Sequence, residues 1–152
     1  MVGKAWSWEK IPWVRDQWKK ISNGRPFLLK GIQCVEDAKK AVEYKCDGIV
    51  VSNHAGRQVD GAVGSLDMLP EIVDAVGDTL TILFDSGVRS GISHQENIVM
   101  SRQMMRRGYL RWTLMIGADV FKALALGAKA VCVGRMWIWG LSLMESSVFD
   151  ML

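Results

Sequence analysis

Short apolar runs alternate along the chain with segments in which apolar residues recur at helical spacing. The runs span residues 27–29, 48–51, 80–84 and 130–133, and each is nearly continuous. Unbroken apolar runs of this length are typical of strands that are buried on both faces. The pattern therefore predicts four β-strands in one parallel sheet, built from βαβ units.

The segments around these runs read as helices. In the first of them, Trp8, Trp13 and Trp18 form a side that we expect to pack inward. Pro70 suits the first position of a later helix, and Gly127 suits the residue just past the end of the last one. The helices predicted in this way span residues 7–20, 35–44, 69–76 and 118–126.

Residues 92–116 interrupt this order. The segment holds four of the nine methionines, lacks Asp, Lys and Pro, and shows no clean period. The sequence on its two sides reads as one loop that enters a helix, and long structureless loops inside a compact domain are uncommon. We interpret residues 92–116 as an insertion within a single partial domain, 1–152. A translated intron and a genuine surface loop are both open explanations.

Composition bounds the class of protein. The chain has 152 residues, of which 49% are hydrophobic and 23% charged, and this is ordinary for one globular domain. No apolar stretch is long enough for a transmembrane helix, so we expect no membrane association. The net charge of +3 equals the charge of segment 92–116 alone. Without a basic stripe or a recognition motif, we expect no nucleic-acid binding.

The three cysteines, Cys34, Cys46 and Cys132, form no CxxC pair. Such a scattered, odd set fits reduced thiols better than a disulfide framework or a metal site, so we expect no metal. Reduced thiols favour an intracellular location, with the cytoplasm first. A peroxisome or a mitochondrion stays open as an alternative, although the final Asp-Met-Leu is not a peroxisomal signal.

The first candidate for chemistry follows the run 48–51. Side chains alternate along a strand, so Ser52 and His54 are expected to share a face. An imidazole suits a general base, and the planar guanidinium of Arg57 suits a carboxylate. The combination suggests a small acid as substrate. A structural histidine that pairs with an acidic residue is the alternative.

Two successive strand ends carry both glycine and arginine. Gly87 and Arg89 follow the third run, and Gly134 and Arg135 follow the fourth. Glycines let backbone N–H groups approach an anion, and (β/α)8 barrels build a phosphate site after their last two strands. The tandem arrangement predicts a phosphate site, and a pair of tight turns with surface arginines is the alternative.

The chain resembles the C-terminal half of the FMN-dependent 2-hydroxy acid dehydrogenase family, which includes glycolate oxidase, lactate oxidase and flavocytochrome b2. The resemblance implies an α/β fold, namely strands 5–8 of a (β/α)8 TIM barrel, because a whole barrel takes about 250 residues. The most specific match is SNHAGRQ. The matching stretches are LLKGI, DGIVVSNHAGRQVDGA, LDMLPEIV, FDSGVRSG and GADVFKALALGAKAVCVGR.

The resemblance also implies a cofactor, a reaction and a set of site residues. The cofactor would be FMN, and a small (S)-2-hydroxy acid would be oxidised to a 2-oxo acid. His54 would take a proton from the substrate, Arg57 would grip its carboxylate, and Lys30 would lie near the flavin ring. His54 and Arg57 would thus bind substrate. The implied FMN contacts are Lys30, Ser52, Asp85, Ser86, Gly87, Val88, Arg89, Gly134 and Arg135.

Two other interpretations stay open at this point. The chain could be a catalytically inactive, truncated or mis-spliced fragment that serves at most as an FMN-binding or interaction module. It could also be another phosphate-binding barrel, although the pairing of His54 with Arg57 argues against a nucleotide-processing one. A half barrel has two unpaired sheet edges, here runs 27–29 and 130–133, and open edges favour self-association.

Overall fold

The computed structural model of the protein describes residues 6–88 and 119–135. The predicted insertion 92–116, together with Arg89, lies outside the described residues. A 3-10 turn, Trp8–Lys10, leads into the first helix. The elements in chain order are α1 (Ile11–Ile21), β1 (Leu28–Ile32), α2 (Val35–Glu43), β2 (Gly48–Val51), α3 (Ser65–Val76), β3 (Thr81–Phe84), α4 (Asp119–Ala125) and β4 (Ala130–Val131).

The strands form one parallel sheet in the order β1-β2-β3-β4. The predicted parallel sheet is therefore confirmed, and β2 has the predicted bounds. The other strand limits were wrong by up to three residues. β1 extends to Ile32 because a bulge at Gly31, with φ +97°, lets the ladder resume beyond it. β4 ends at Val131 rather than at residue 133, after which Cys132 N–H still donates to Phe84 C=O at 2.8 Å.

The helices cover one face of the sheet. Ile49, Val51, Ile82 and Phe84 point toward them and are at most 2% exposed. Val50 lies on the opposite face, since neighbours in a strand alternate. In register with it across the sheet are Lys30 on β1 and Leu83 on β3. Lys30, on this second face, is part of the site described below.

The helix predictions were mostly confirmed, with two corrections. In α2, Ala38 and Ala41 are fully buried as expected. Gly127 has φ +108°, the left-handed conformation expected just after α4. However, α3 begins at Ser65, so Pro70 lies inside the helix rather than at its first position. Pro70 is buried, and apolar packing of this face outweighs its missing backbone donor.

The second correction concerns α1. Trp8 packs against Tyr44 with ring centroids 5.7 Å apart, as an inward-facing residue should. Trp13, by contrast, is 65% exposed, so the expected inward side is only partly realised. Among the described helices, we find none with both the length and the apolar content to cross a bilayer.

Candidate functional site

A cavity of about 280 Å³ opens where the strands end at their carboxyl termini. Parallel α/β folds place their ligand sites at this edge. The cavity gathers predicted site residues from all four strands and the loops after them. It is lined by Lys30, His54, Ala55, Arg57, Asp85, Ser86, Gly87, Val88, Cys132, Val133, Gly134 and Arg135.

Lys30 is the centre of the polar contacts. Its ammonium donates to Ser52 Oγ at 2.9 Å and lies 3.2 Å from Asp85 Oδ2 and 3.2 Å from His54 Nδ1. The sequence placed Lys30 at the end of its strand, but it is the third of five residues in β1. The bulge at Gly31 follows it directly. A residue inside the strand thus reaches the groups on the neighbouring loops.

His54 lies in a left-handed turn rather than on a strand. β2 ends at Val51, and His54 and Ala55 have φ of +53° and +59°. Such angles are rare for residues with a Cβ and occur at functional sites that hold them in place. Here Ser52 Oγ accepts from His54 N–H at 3.1 Å, and Ser86 Oγ accepts from Ala55 N–H at 2.9 Å.

The predicted proximity of Ser52 and His54 is therefore present, but the predicted cause was wrong. Strand alternation does not reach His54, and the two residues meet through the turn and through Lys30. The alternative of a structural histidine paired with an acid also differs from the structure. The side chain of His54 is exposed, and its hydrogen-bond partner among the described residues is a lysine.

Asp85 is the anionic member of the cluster. Burial by itself raises the pKa of this carboxyl, but hydrogen bonds from Ser52, Ser86 and Lys30, with the charge of Lys30, outweigh burial. The pKa of Asp85 consequently lies below its ordinary value. Ser86 Oγ donates to Asp85 Oδ1 at 2.8 Å. The carboxylate thus stays ionised and ties the loop after β3 to Lys30 on β1.

The remaining predicted residues differ in their exposure and in their bonding partners. Arg57 is exposed, and its guanidinium has no hydrogen bond or ion pair to another described residue. Gly87 and Gly134 are exposed, and a Cβ at either would meet no atom within 4 Å. A ligand can therefore approach the backbone closely at both glycines. Arg135 follows Gly134 in the chain and also lines the cavity, whereas Arg89 is outside the described residues.

The sequence predicted no individual role for three residues of this region, although two of them, Asn53 and Ala55, belong to the stretch SNHAGRQ. Ala55 and Cys132 line the cavity, but an alanine and a lone cysteine carry no pattern that could have identified them. Asn53 did carry one, because Asn before a tight turn commonly caps it. Its Oδ1 accepts from Gly56 N–H at 3.2 Å, which closes the turn that bears His54.

The sequence profile of the family described as FMN-dependent dehydrogenase matches residues 1–93 and 113–149. An FMN-dependent alpha-hydroxy acid dehydrogenase of Schizosaccharomyces pombe is 50% identical over 145 residues, covering 95% of this chain and 28% of that protein. One of Penicillium citrinum is 49% identical, covering 90% and 26%. An L-lactate dehydrogenase of a Caulobacter strain is 43% identical, covering 89% and 27%.

A solved structure agrees with these sequence matches. A mandelate oxidase structure with (S)-4-hydroxymandelic acid superposes with a TM-score of 0.66 at 42% identity, covering 90% of this chain and 30% of that one. The chain thus spans about a quarter of the length of the curated relatives that it matches. Since the profile covers most of its residues, the chain belongs to the family of FMN-dependent dehydrogenases.

Proposed function

We propose that this chain provides the FMN phosphate site and the substrate-binding histidine and arginine of an oxidoreductase. The reaction is oxidation of a small (S)-2-hydroxy acid to the 2-oxo acid. The observation that carries the proposal is the cavity itself. It brings Lys30, His54, Arg57 and Asp85 together with Gly87 after the third strand and with Gly134 and Arg135 after the fourth. Relatives named for lactate and mandelate chemistry support the substrate class.

The chemistry of the lining residues fits FMN. A phosphate needs cations and backbone N–H groups that can be approached closely, and Gly87, Gly134 and Arg135 all line the cavity. Sugar-like hydroxyls need acceptors and donors, and Asp85 with Ser86 provides both. Negative charge on a reduced flavin would need a nearby cation, and Lys30 is the cation of the polar cluster. FMN, when bound, would supply the acceptor for the two electrons removed from the substrate.

The chain's own groups have two tasks in this reaction. The guanidinium of Arg57, which has no partner among the described residues, binds the substrate carboxylate through two parallel N–H···O bonds. His54 lies within the same cavity and contacts the substrate hydroxyl, whose proton must leave during oxidation. Arg57 thus contributes binding energy, and His54 handles the proton of the substrate hydroxyl.

We further propose that β1 to β4 correspond to strands 5–8 of a (β/α)8 barrel, with residues 92–116 inserted between the third and fourth. The parallel order, the helix after each of the first three strands and the similarity to mandelate oxidase support the assignment. The family profile skips residues 94–112, which supports an insertion there.

Flavin fluorescence during FMN titration of the purified chain tests the proposed function. Binding should be saturable, and Arg135→Ala should weaken it at least about tenfold, because a charged hydrogen bond contributes about 1.5–3 kcal/mol. Arg25→Ala is the matched control, since Arg25 is an exposed arginine in the loop before β1. Equal affinity in Arg135→Ala and Arg25→Ala would contradict the phosphate site. No saturable binding by the folded chain would instead favour the inactive-fragment interpretation.

We also propose self-association through the open sheet edges. Among the described strands, β1 and β4 each have one neighbour, and both run in the same direction. A two-fold axis along the strands would pair β4 of each copy with β1 of the other and give eight parallel strands. Sedimentation velocity should show a dimer, and a Lys in place of Leu28 should weaken it. A monomer at every concentration would contradict this proposal.

A further inference from the structure

The loop that carries Arg57, residues 54–63, projects into solvent. Residues 54–61 are all exposed, so packing against the core does not fix this part of the chain. The guanidinium of Arg57 has no hydrogen bond or ion pair to another described residue. Its position in the cavity therefore depends on where the backbone of the loop is held.

Two amide side chains meet at the carbonyl of Val63, where the loop returns toward α3. Gln33, just after β1, donates from Nε2 to Val63 C=O at 3.0 Å, and Asn53, after β2, donates from Nδ2 at 3.3 Å. A carbonyl oxygen has two lone pairs, so it can accept both bonds at once. Val63 itself is 43% exposed, so hydrogen bonding rather than apolar burial fixes this point of the loop.

Asn53 also connects Val63 to the turn at His54. Its Oδ1 accepts from Gly56 N–H at 3.2 Å, and its backbone N–H donates to Ser65 Oγ at 2.8 Å. Ser65 is 3% exposed and begins α3. Because Gly56 N–H can only donate and Val63 C=O can only accept, these partners fix which end of the amide faces which group. Asn53 thereby links the start of the loop, its return and a buried helix end.

We propose that Gln33 and Asn53 are positioning residues that hold the Arg57 loop at its return. They thereby keep Arg57 in the cavity that His54 also lines. The described residues that line the cavity include neither amide, so both act through the loop backbone and not on a ligand. The ligand, a small carboxylate, rests on the proposed function, whereas the anchoring of the loop is a property of this chain alone.

Limited digestion with trypsin measures release of the loop, because cleavage after Arg57 requires the surrounding backbone to leave its folded position. Gln33→Met, which is similar in length but has no donor, should speed cleavage of the bond between Arg57 and Gln58 by about two- to tenfold. Gln17→Met, on the exposed side of α1, is the matched control and should leave the rate unchanged. Cleavage after the exposed Lys45 is the internal reference, since global unfolding would speed both cleavages. An unchanged rate after Arg57 in Gln33→Met, or an equal acceleration after Lys45, would overturn the proposal.

Variants of Asn53 separate its two side-chain bonds. Asn53→Asp keeps the acceptor for Gly56 N–H but removes the donor to Val63 C=O, so cleavage after Arg57 should increase as in Gln33→Met. Combining the two substitutions frees the carbonyl of Val63, and the increase should exceed that of either variant alone. A double variant no faster than the single ones would contradict the convergence on one carbonyl. If Asn53→Asp fails to fold, as judged by circular dichroism, Gln33→Met decides the question.

Ligand binding shows whether the held loop positions Arg57. Pyruvate, a 2-oxo acid, is titrated into the FMN-loaded chain and followed by the absorbance spectrum of the flavin. Gln33→Met should raise the dissociation constant for pyruvate by about two- to tenfold and leave that for FMN unchanged, because the loop carries the carboxylate-binding arginine and not the proposed FMN contacts. In an Arg57→Ala background, Gln33→Met should have no further effect on pyruvate binding. An equal effect with and without Arg57 would show a general structural role and overturn the proposal.

The anchoring of the loop and the proposed function fail separately. If the folded chain binds no FMN, the proposed function fails, and digestion with trypsin still decides whether the amides hold the loop. If the chain binds FMN and pyruvate but Gln33→Met leaves cleavage after Arg57 unchanged, the proposed function stands and the positioning role is wrong.

Discussion

A lysine and an aspartate form an ion pair at each end of the sheet, and the two pairs differ in what surrounds them. Asp47 precedes β2 at the amino end and pairs with Lys19 at 3.0 Å, while Asp85 follows β3 at the carboxyl end and pairs with Lys30 at 3.2 Å. Asp47 also accepts from Phe27 N–H at 2.8 Å. The first pair fastens α1 and the start of β1 to the sheet, whereas the second faces a cavity.

The backbone around the two pairs explains the difference. At the carboxyl end, His54, Ala55 and Ser86 all have positive φ, and hydroxyl groups of Ser52 and Ser86 hold two of these residues in place. Such angles cost free energy and are retained where the surroundings enforce them. In parallel α/β barrels the carboxyl end bears the chemistry and the amino end bears stability. The same pair of residue types therefore has a different task at each edge.

The largest expected effect is on FMN binding. Asp85→Ala should raise the dissociation constant for FMN by about 10- to 100-fold, because a lost hydrogen bond to a charged group costs about 1.5–3 kcal/mol. Asp47→Ala should leave it unchanged. Flavin fluorescence titration measures both. Equal weakening by the two variants would show that the edges do not differ in the way described.

The next effect is on stability and is expected at the amino end of the sheet. Asp47→Ala leaves the half-buried Phe27 N–H without its acceptor, and we expect the free energy of unfolding to fall by about 1–2 kcal/mol. The ion pair between Lys19 and Asp47 adds little to this loss of unfolding free energy, because both side chains are more than a third exposed. Urea unfolding followed by circular dichroism measures the change. A loss below the error of the fit would contradict the fastening role of Asp47.

Acid should lower the stability that the aspartates at both edges contribute. The hydrogen bond from Phe27 N–H is the largest cause that holds the pKa of Asp47 below its ordinary value, and Lys19 adds to it against the effect of burial. The pKa of Asp85 is lowered as well. For both groups the stabilisation is present above the unfolded-state pKa of about 3.9 and is lost as the pH falls through the lower folded value. Urea midpoints between about pH 6 and pH 2.5 should decline less in Asp47→Asn and in Asp85→Asn than in the unchanged chain.

The smallest effect concerns backbone conformation. Ala55, at the carboxyl end, and Lys45, just after α2 at the amino end, have φ of +59° and +54°. Replacing either by glycine should stabilise the fold by about 0.5–1 kcal/mol, because glycine adopts this conformation without a Cβ clash. Thermal unfolding measures the gain. Only Ala55→Gly should also alter FMN affinity. An altered FMN affinity in Lys45→Gly would contradict the proposed difference between the two ends of the sheet.

The parallel sheet could be predicted because short, continuous apolar runs in a globular chain are typical of buried parallel strands. Apolar residues at helical spacing likewise predicted α2, where Ala38 and Ala41 are fully buried. The prediction failed at α3, because a proline is a strong local signal for a helix start. Burial of Pro70 among core residues overrides that local preference. Local patterns thus predict elements well, and their ends less well.

For the site, the order of elements along the chain is enough to predict which residues arrive at one edge, since each of His54, Asp85 and Arg135 follows a strand and parallel strands end together. The sequence also determined the family, through stretches such as SNHAGRQ. How these groups meet depends on three-dimensional packing. The left-handed turn at His54 and the position of the Lys30 side chain depend on hydrogen bonds to Ser52 and Ser86, which come from separate loops. Contacts between residues more than twenty positions apart arise from packing, so no local pattern in the chain encodes them.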